Sequence, residues 1–392
     1  MQDSFIVAGK RTAIGDFGKS LKDIPPTKLG EIAIRAALQD AGVAAAEVQH
    51  VVMGNVIHTE PRDAYLSRVA AVGAGIPFET PALTVNRLCG SGLQAIVSAA
   101  QLIQLGDADI AVAGGAESMS RGGYLLPAER WGARLGDAKV VDMVVGALND
   151  PFGHGHMGIT AENVATRYQI SRETQDAFSV ESHRRAAHAI AEGRFKSQIV
   201  AVDLPSKKGP LLFDTDEHVR NDIDSDKLAS LKAAFKKDGS VTAGNSSGIN
   251  DGGAAVVLAS GSEVARRGLK PLVRIVAYGH AGVDPEYMGL GPIPASQKAL
   301  KRAGLSISDI DVIEANEAFA SQACAVARDL GFPDDKVNPN GGAIALGHPI
   351  GASGAIIAIK AIYELERIKG RYALATMCIG GGQGIAVIFE RV

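Results

Sequence analysis

Three features of the sequence predict an α/β fold made of two similar halves. Short apolar runs alternate with stretches of helical periodicity through about residue 115, and again from about 272 to the end. The second series echoes the first. Asp40-Ala41-Gly42-Val43 before an apolar run at 48–55 returns as Arg302-Ala303-Gly304-Leu305 before 310–316, and Val85-Asn86 returns as Val337-Asn338. Gly90-Ser91-Gly92 ahead of an aliphatic helix is matched by Ala352-Ser353-Gly354 ahead of another, and 109–115 by 372–380. Third, the alternation lapses from Arg121 to about Gly248, as expected of an insertion carried on the core. The chain divides accordingly into one half at 1–120 plus 249–271, an inserted loop domain at 121–248, and a second half at 272–392. A site between two such halves would draw residues from matching loops of each.

Residues 5–8 read as a buried strand. Leu29, Ile32, Ala33, Ala36 and Leu38 fall at helical spacing over 27–41, and Gly42 sits where a left-handed cap would close that helix. A strand at 48–56, a helix at 64–73 and a strand at 83–85 follow. After Cys89 an apolar helix runs to about Leu105 and is stopped by Gly106-Asp107, and 109–115 is a buried strand ending in glycines. The insertion holds the single tryptophan, Trp131, and a polar helix over 172–192; a buried strand at 256–259 resumes the core.

With 392 residues, 46% of them hydrophobic and 21% charged, the chain suits two or three globular domains. A net charge of −3 without long basic or acidic runs argues against nucleic acid or a membrane surface as partner. The pairs Lys207-Lys208 and Lys236-Lys237 are short and expected to be solvated. Cys89, Cys324 and Cys378 cannot form a disulfide framework and point to a reducing compartment. No residues have metal-ligand spacing, and His154-Gly155-His156 is too short and isolated to bind a metal. Neither a signal region, nor a transit peptide, nor a bilayer-length apolar run is expected, so a bacterial-type cytoplasmic protein fits.

Four stretches could carry chemistry. In Asn86-Arg87-Leu88-Cys89-Gly90-Ser91-Gly92 a strand turns sharply into a buried helix, and the two glycines permit close approach or unusual dihedrals. Cys89 stands at or just before the helix start, where unpaired N–H groups and the dipole favour a thiolate. The plainer reading of Cys89 is a small buried hydrophobe. His348, between Gly347 and Pro349 in a glycine-rich loop, is either a base facing a cleft or a cap for the next helix. Cys378 is delivered by an apolar strand to Gly380-Gly381-Gly382, whose N–H groups suit an oxyanion; the alternative is a buried cysteine beside a hairpin turn. Asn316, between Ala315 and Glu317, is a strand-end amide or an N-cap. Taken together, a Cys–His pair plus a second cysteine suits a reaction that makes both a thioester and a carbanion.

Over its whole length the sequence resembles the thiolases, the acyl-CoA:acetyl-CoA C-acyltransferases. The resemblance rests on Asn86-Arg87-Leu88-Cys89-Gly90-Ser91-Gly92, Gly114-Gly115-Ala116-Glu117-Ser118-Met119, Asn316-Glu317-Ala318-Phe319-Ala320, Gly347-His348-Pro349 and Cys378-Ile379-Gly380-Gly381-Gly382. The runs Thr59-Glu60-Pro61-Arg62-Asp63 and Arg130-Trp131-Gly132-Ala133-Arg134 look like the β-ketothiolases associated with polyhydroxyalkanoate synthesis. The resemblance implies a thiolase-like five-layer α-β-α-β-α fold and a homotetramer, a dimer of dimers bridged by a loop near 121–145. It implies catalysis by Cys89 as acyl acceptor, His348 as its base and Cys378 as the base for the α-proton. Asn316 would hold a water at the enolate, and the N–H groups of Cys89 and Gly380 would bind an oxyanion. Losing one such donor costs about 3–4 kcal/mol in the barrier. Acetyl-CoA, acyl-CoA and CoA would be substrates, with no cofactor or metal. The CoA site is implied at His156, Met157, Arg220, Phe235, Ala243 and Ser247, with Ala318 and Phe319 across the tunnel.

Two departures from the family pattern fall at the adenine end. Leu231-Lys232-Ala233-Ala234-Phe235 lacks the usual proline, and Lys227 replaces a common serine; a solvated loop is expected for Lys227. A ketoacyl or hydroxymethylglutaryl synthase of the same fold would lack the cysteine seen at 378. The alternatives are a degradative 3-ketoacyl-CoA thiolase of broader chain length and, more remotely, an inactive lipid-binding relative.

Overall fold

The computed structural model describes residues 2–205, 209 and 211–392; Lys207 and Lys208 lie outside them, while Lys236 and Lys237 are exposed as expected. The first half contains β1 (Ser4–Thr12), α1 (Pro26–Ala41), β2 (His50–Gly54), α2 (Leu66–Gly73), β3 (Ala82–Val85), α3 (Ser91–Leu105) and β4 (Ile110–Ser118). Within the 121–248 segment the long helices are α4 (Met157–Tyr168) and α5 (Arg172–Ala191). The remainder supplies β5 (Asn250–Ser260), β6 (Val273–Gly282), α6 (Pro292–Ala303), β7 (Val312–Ala315), α7 (Ala320–Leu330), α8 (Ile350–Ile368), β8 (Tyr372–Ile379) and β9 (Gln383–Arg391).

The strands hydrogen-bond in the order β7-β8-β9-β6-β1-β5-β4-β2-β3. Reading outward from the β1–β6 junction, each half runs antiparallel, antiparallel, then parallel. The junction is narrow, holding only the pairs Phe5↔Arg274 and Ile6↔Val273 among the described residues. Duplication also shows in detail. Gly42 and Gly304 close equivalent helices at φ 62° and 68°, as only glycine does without strain. The parallel bridge Ile313↔Val337 stands where β2 pairs with β3 in the first half.

Alternating burial sorts the helices into layers. Leu29 and Ile34 of α1 and Leu66 and Ala70 of α2 pack on the outer face of the first half, against Val51 and Val112. Ala295 and Ala299 of α6 and Val326 of α7 do the same against Ile313 and Leu374. Between the two sheet faces, α3 and α8 share one core: Leu93, Ile96 and Ile103 meet Ile356, Ile359 and Ile362, flanked by Val256 and Val387. The result is α-β-α-β-α, with the central layer built from one helix of each half. Glycine brings those helices together, since a Cβ on Gly92 would lie 2.7 Å from Ala355 N.

Some sequence expectations need correction. The 64–73 helix begins only at Leu66, after a 3₁₀ turn at Pro61–Tyr65 that starts with a proline. No bilayer-length apolar run was expected, yet Leu88–Leu105 meets that test by length and composition. Its helix lies in the central layer, with Leu93, Ile96, Val97, Ala100 and Ile103 fully buried.

The 121–248 segment is fastened to β1 by an ion pair. Arg11 reaches Asp216 with both guanidinium nitrogens, at 2.7 and 2.9 Å, both side chains fully buried. Asp216 also accepts from Ile14 N (2.8 Å), and Arg11 lies over the Phe195 ring. Removing one partner leaves a buried charge uncompensated, so Asp216→Ala is expected to cost about 3–5 kcal/mol of stability. Denaturant unfolding checks this; a loss under about 1 kcal/mol would show the pair to be incidental.

Candidate active site

Cys89 stands between β3 and α3, just before the N-cap residue Gly90. A short network shapes this turn. Leu88 N donates to Asn86 Oδ1 (2.9 Å), Arg87 N donates to Ser91 Oγ (2.8 Å), and Ser91 Oγ donates to Leu88 O (2.7 Å). Together they hold Leu88 at φ 46°, a left-handed conformation that a branched side chain resists. The unusual dihedral thus falls on Leu88 rather than on the glycines, and Gly90 serves close approach instead. A Cβ there would lie 2.6 Å from Ile379 Cδ1, the residue after Cys378.

His348 enters from the other half. Its backbone N–H donates to Asn250 Oδ1 (2.8 Å), and its ring Nδ1 lies 2.6 Å from Ser353 Oγ. That hydroxyl gives its own proton to Pro349 O (2.9 Å), so it accepts from Nδ1–H. Nε2 is then the unprotonated nitrogen, 3.5 Å from the Asn316 amide nitrogen. His348 caps no helix, because α8 starts on Pro349 without a side-chain cap. Nor is Asn316 an N-cap, since α7 begins four residues later, at Ala320, with Phe319 as its N-cap. Ser353→Ala frees the imidazole to rotate and change tautomer, and is expected to lower kcat about tenfold with KM for CoA unchanged. Steady-state thiolysis kinetics measure that split.

These groups face one cavity of about 390 Å³. Cys89, His348, Cys378 and Gly380 line its inner end, and His156, Met157, Arg220, Phe235, Ala243, Ser247, Ala318 and Phe319 line the rest. Asn316 does not; it is buried behind His348. The walls are largely apolar. His156 stacks on Phe235 at 4.8 Å, Phe319 meets Phe235 edge-on, and Cys378 is buried among Met157, Met288 and Phe319. The Nδ1 of His156 accepts from Gly158 N (3.1 Å), capping α4 and fixing the ring, so it ligates no metal through that atom. No cluster with metal-binding composition occurs among the described residues. Lys227 is exposed, as expected, but it lies in a short helix at Ser225–Ala229 and not in a loop, and it pairs with Asp222 at 2.9 Å.

The electrostatics overturn one expectation. Cys89 opens onto the cavity, but the surrounding protein desolvates it and pushes its thiol up to about 11. The N–H groups of Gly380 and of Cys89 itself pull in the other direction, as a helix start should, and desolvation outweighs them. Burial likewise raises the Cys378 thiol and lowers the His348 imidazole to about 4. At neutral pH all three groups are uncharged, so the proton leaves Cys89 during attack and not before it. Alkylation of the free enzyme by iodoacetamide is expected to accelerate with rising pH and level off only towards 11, with Cys89 labelled before Cys324 or Cys378. Peptide mapping across pH checks this; a plateau near pH 7 would mean that the helix start prevails.

The chain belongs to the thiolase family. Residues 4–262 match the thiolase N-terminal domain and 269–391 the thiolase C-terminal domain. It is 64% identical to beta-ketothiolase BktB of Cupriavidus necator, covering 99% of this chain and 98% of that one. Identity to an acetyl-CoA acetyltransferase of Chromobacterium violaceum is 52%, over 98% of this chain and 99% of the other. Among solved structures, human mitochondrial 3-ketoacyl-CoA thiolase superposes with a TM-score of 0.98 at 45% identity, covering 100% and 99% of the two chains. A complex of that human enzyme with CoA gives 0.97 at 45%, covering 100% and 98%.

Sequence reasoning missed several neighbours of the reacting groups. Ser353 and Ser91 occupy matching positions, each tying down the turn that carries its site residue. The repeat exposed that pair as a packing echo, not as a hydrogen-bonding device. Asn250, Met288 and His218 carried no signal, because distant elements bring them to the site.

Proposed function

We propose that the protein catalyses the reversible condensation of acetyl-CoA with a short acyl-CoA to a 3-ketoacyl-CoA, through an acyl-Cys89 thioester. The observation that carries this is the convergence of Cys89, His348, Cys378 and Gly380 on one apolar-walled cavity. His348 Nε2 takes the thiol proton as the sulfur attacks the acyl-CoA carbonyl, and the Cys378 thiol gives its proton to the departing CoA sulfur, which leaves a His348 imidazolium and a Cys378 thiolate. Cys378 then removes the α-proton of a second acetyl-CoA. The His348 imidazolium donates Nε2–H to the enolate oxygen, and the enolate carbon attacks the Cys89 thioester. The N–H groups of Cys89 and Gly380 receive the oxyanion, and collapse expels the Cys89 sulfur, which takes its proton back from His348. Thiolysis is the same path reversed.

The CoA arm is assigned to His156, Met157, Phe235, Ala243, Ser247, Ala318 and Phe319, with Arg220 towards the adenine. Those from 156 to 247 belong to the inserted loop domain at 121–248, between a half at 1–120 plus 249–271 and a half at 272–392. CoA thioesters are the substrates and no cofactor is required. The 52% relative is named for acetyl transfer to acetyl-CoA, which supports the short-chain condensing direction over the degradative one, and the runs 59–63 and 130–134 support polyhydroxyalkanoate precursors. We place the enzyme in the cytoplasm as a tetramer. Trp131, Leu135 and Tyr124, at 88%, 97% and 63% exposure, offer an apolar contact for assembly. Thiolysis assayed with acetoacetyl-CoA, 3-ketovaleryl-CoA and longer 3-ketoacyl-CoA substrates should give the highest kcat/KM with the first two. A preference for the longer chains would sink the short-chain assignment.

A further inference from the structure

Behind the Cys89 turn lies a buried carboxylate that the reaction above does not use. Glu117, near the end of β4, is fully buried, and each of its oxygens accepts two N–H bonds. Oε1 takes Asn55 Nδ2 (3.0 Å) and Ile57 N (3.1 Å); Oε2 takes Val56 N (3.0 Å) and Gly351 N (2.9 Å). Three donors belong to the loop after β2. The fourth is in the first turn of α8, three residues beyond His348 and in the opposite half. Four donors fill the lone-pair directions of a charged carboxylate, whereas a protonated one would turn an O–H against an N–H. Burial pushes the carboxyl up to about 8 against the pull of the Ile57, Val56 and Gly351 N–H groups. Packing at the contact is tight, since a Cβ on Gly351 would lie 2.5 Å from Oε2 and 3.0 Å from Asn55 Cα. The titratable groups facing it are Asp63, in the turn at Pro61–Tyr65, whose charge raises the carboxyl further, and the Cys89 thiol, which Glu117 raises in turn.

We propose that Glu117 is a positioning residue: its carboxylate ties the start of α8 to the loop after β2, and so sets His348 in register with Cys89 across the junction of the halves. The tie spans the point where the two halves must agree. β1 and β6 join them by few hydrogen bonds, and the other ties of this region across the halves, His348 N to Asn250 Oδ1 (2.8 Å) and Tyr363 Oη to Gly9 O (2.9 Å), each rest on a single bond. A carboxylate that must satisfy donors from both sides at once permits one setting only. The inference rests on the catalytic reading of Cys89 and His348. The two fail separately: turnover by Cys89→Ser sinks that reading, while wild-type turnover by Glu117→Gln beside an inactive Cys89→Ser sinks only this one.

The test is Glu117→Gln in the full-length enzyme. The amide keeps the shape but turns an NH₂ towards two N–H donors. For acetoacetyl-CoA thiolysis, kcat is expected to fall about tenfold or more, with KM for CoA within about twofold. The pH midpoint of iodoacetamide alkylation of Cys89 should move down, because an anion near the sulfur is gone. A general loosening of the fold would also rehydrate the thiol, and is told apart by a lowered melting temperature. A kcat within twofold of wild type, a rise in KM at unchanged kcat, or a lowered kcat with an unmoved midpoint each overturns the proposal. If Glu117→Gln does not fold, Gly351→Ala decides by the kcat and KM split alone, since it crowds the same contact with the carboxylate intact. Failure of both variants to fold also overturns it, by making the contact one that the fold, and not the site, requires.

Discussion

Cys89→Ser is expected to lower thiolysis of acetoacetyl-CoA by roughly three to five orders of magnitude while the protein stays folded. The side chains differ by one atom, and the cavity around position 89 accepts either. What changes is the proton. Even the thiol is held neutral at about 11 by desolvation, and a hydroxyl in the same surroundings starts several units higher. His348, lowered to about 4, is a weak base that can take a thiol proton only as the sulfur bonds to carbon. It has far less leverage on a serine. Mass spectrometry after incubation with acetyl-CoA should show an acetyl group on wild-type Cys89 and none on the variant. Activity within tenfold of wild type would remove Cys89 from the reaction.

His348→Ala is expected to cost about 10²–10⁴-fold in kcat, with a characteristic pH dependence. In the wild type the base stays neutral at any pH well above 4, so the acylation rate should be flat from pH 6 to 9. Without it the Cys89 thiol must ionise unaided. The acylation rate should then climb about tenfold per pH unit towards the thiol's own value near 11. Stopped-flow acetylation of Cys89 across pH separates the two profiles. A variant that is slow but has the wild-type flat profile would show that His348 orients the site without moving the proton.

Much of this was legible in the sequence, for definable reasons. Duplicated helix caps and strand ends repeat in chain order, so Gly42 with Gly304 and Val85 with Val337 announced two halves before any contact was known. The site residues carried the same signal, since Cys89, His348 and Cys378 each sit where an apolar run meets glycine. The ionisation of Cys89 was not legible. A helix start is visible in sequence, but the desolvation that outweighs it comes from residues nearly three hundred positions away, such as Ile379. For the same reason Glu117 reads as one letter of a motif and shows its donors only when Asn55 and Gly351 are brought together. Asn316 was legible as a polar residue at a strand end, but not as one standing behind the imidazole, away from the cavity.

The central layer has a consequence for how the chain is made. The inner face of α3 finds its cover in α8, whose residues leave the ribosome more than two hundred and fifty positions later. Until then the nascent first half carries a bare stripe of leucine and isoleucine, a surface that invites aggregation and needs shielding. Contacts of such long sequence separation also close slowly. Neither half is therefore expected to reach a native state alone. A chain released before residue 350 should be captured by chaperones or degraded, and the nucleophile's pocket should be among the last features to form.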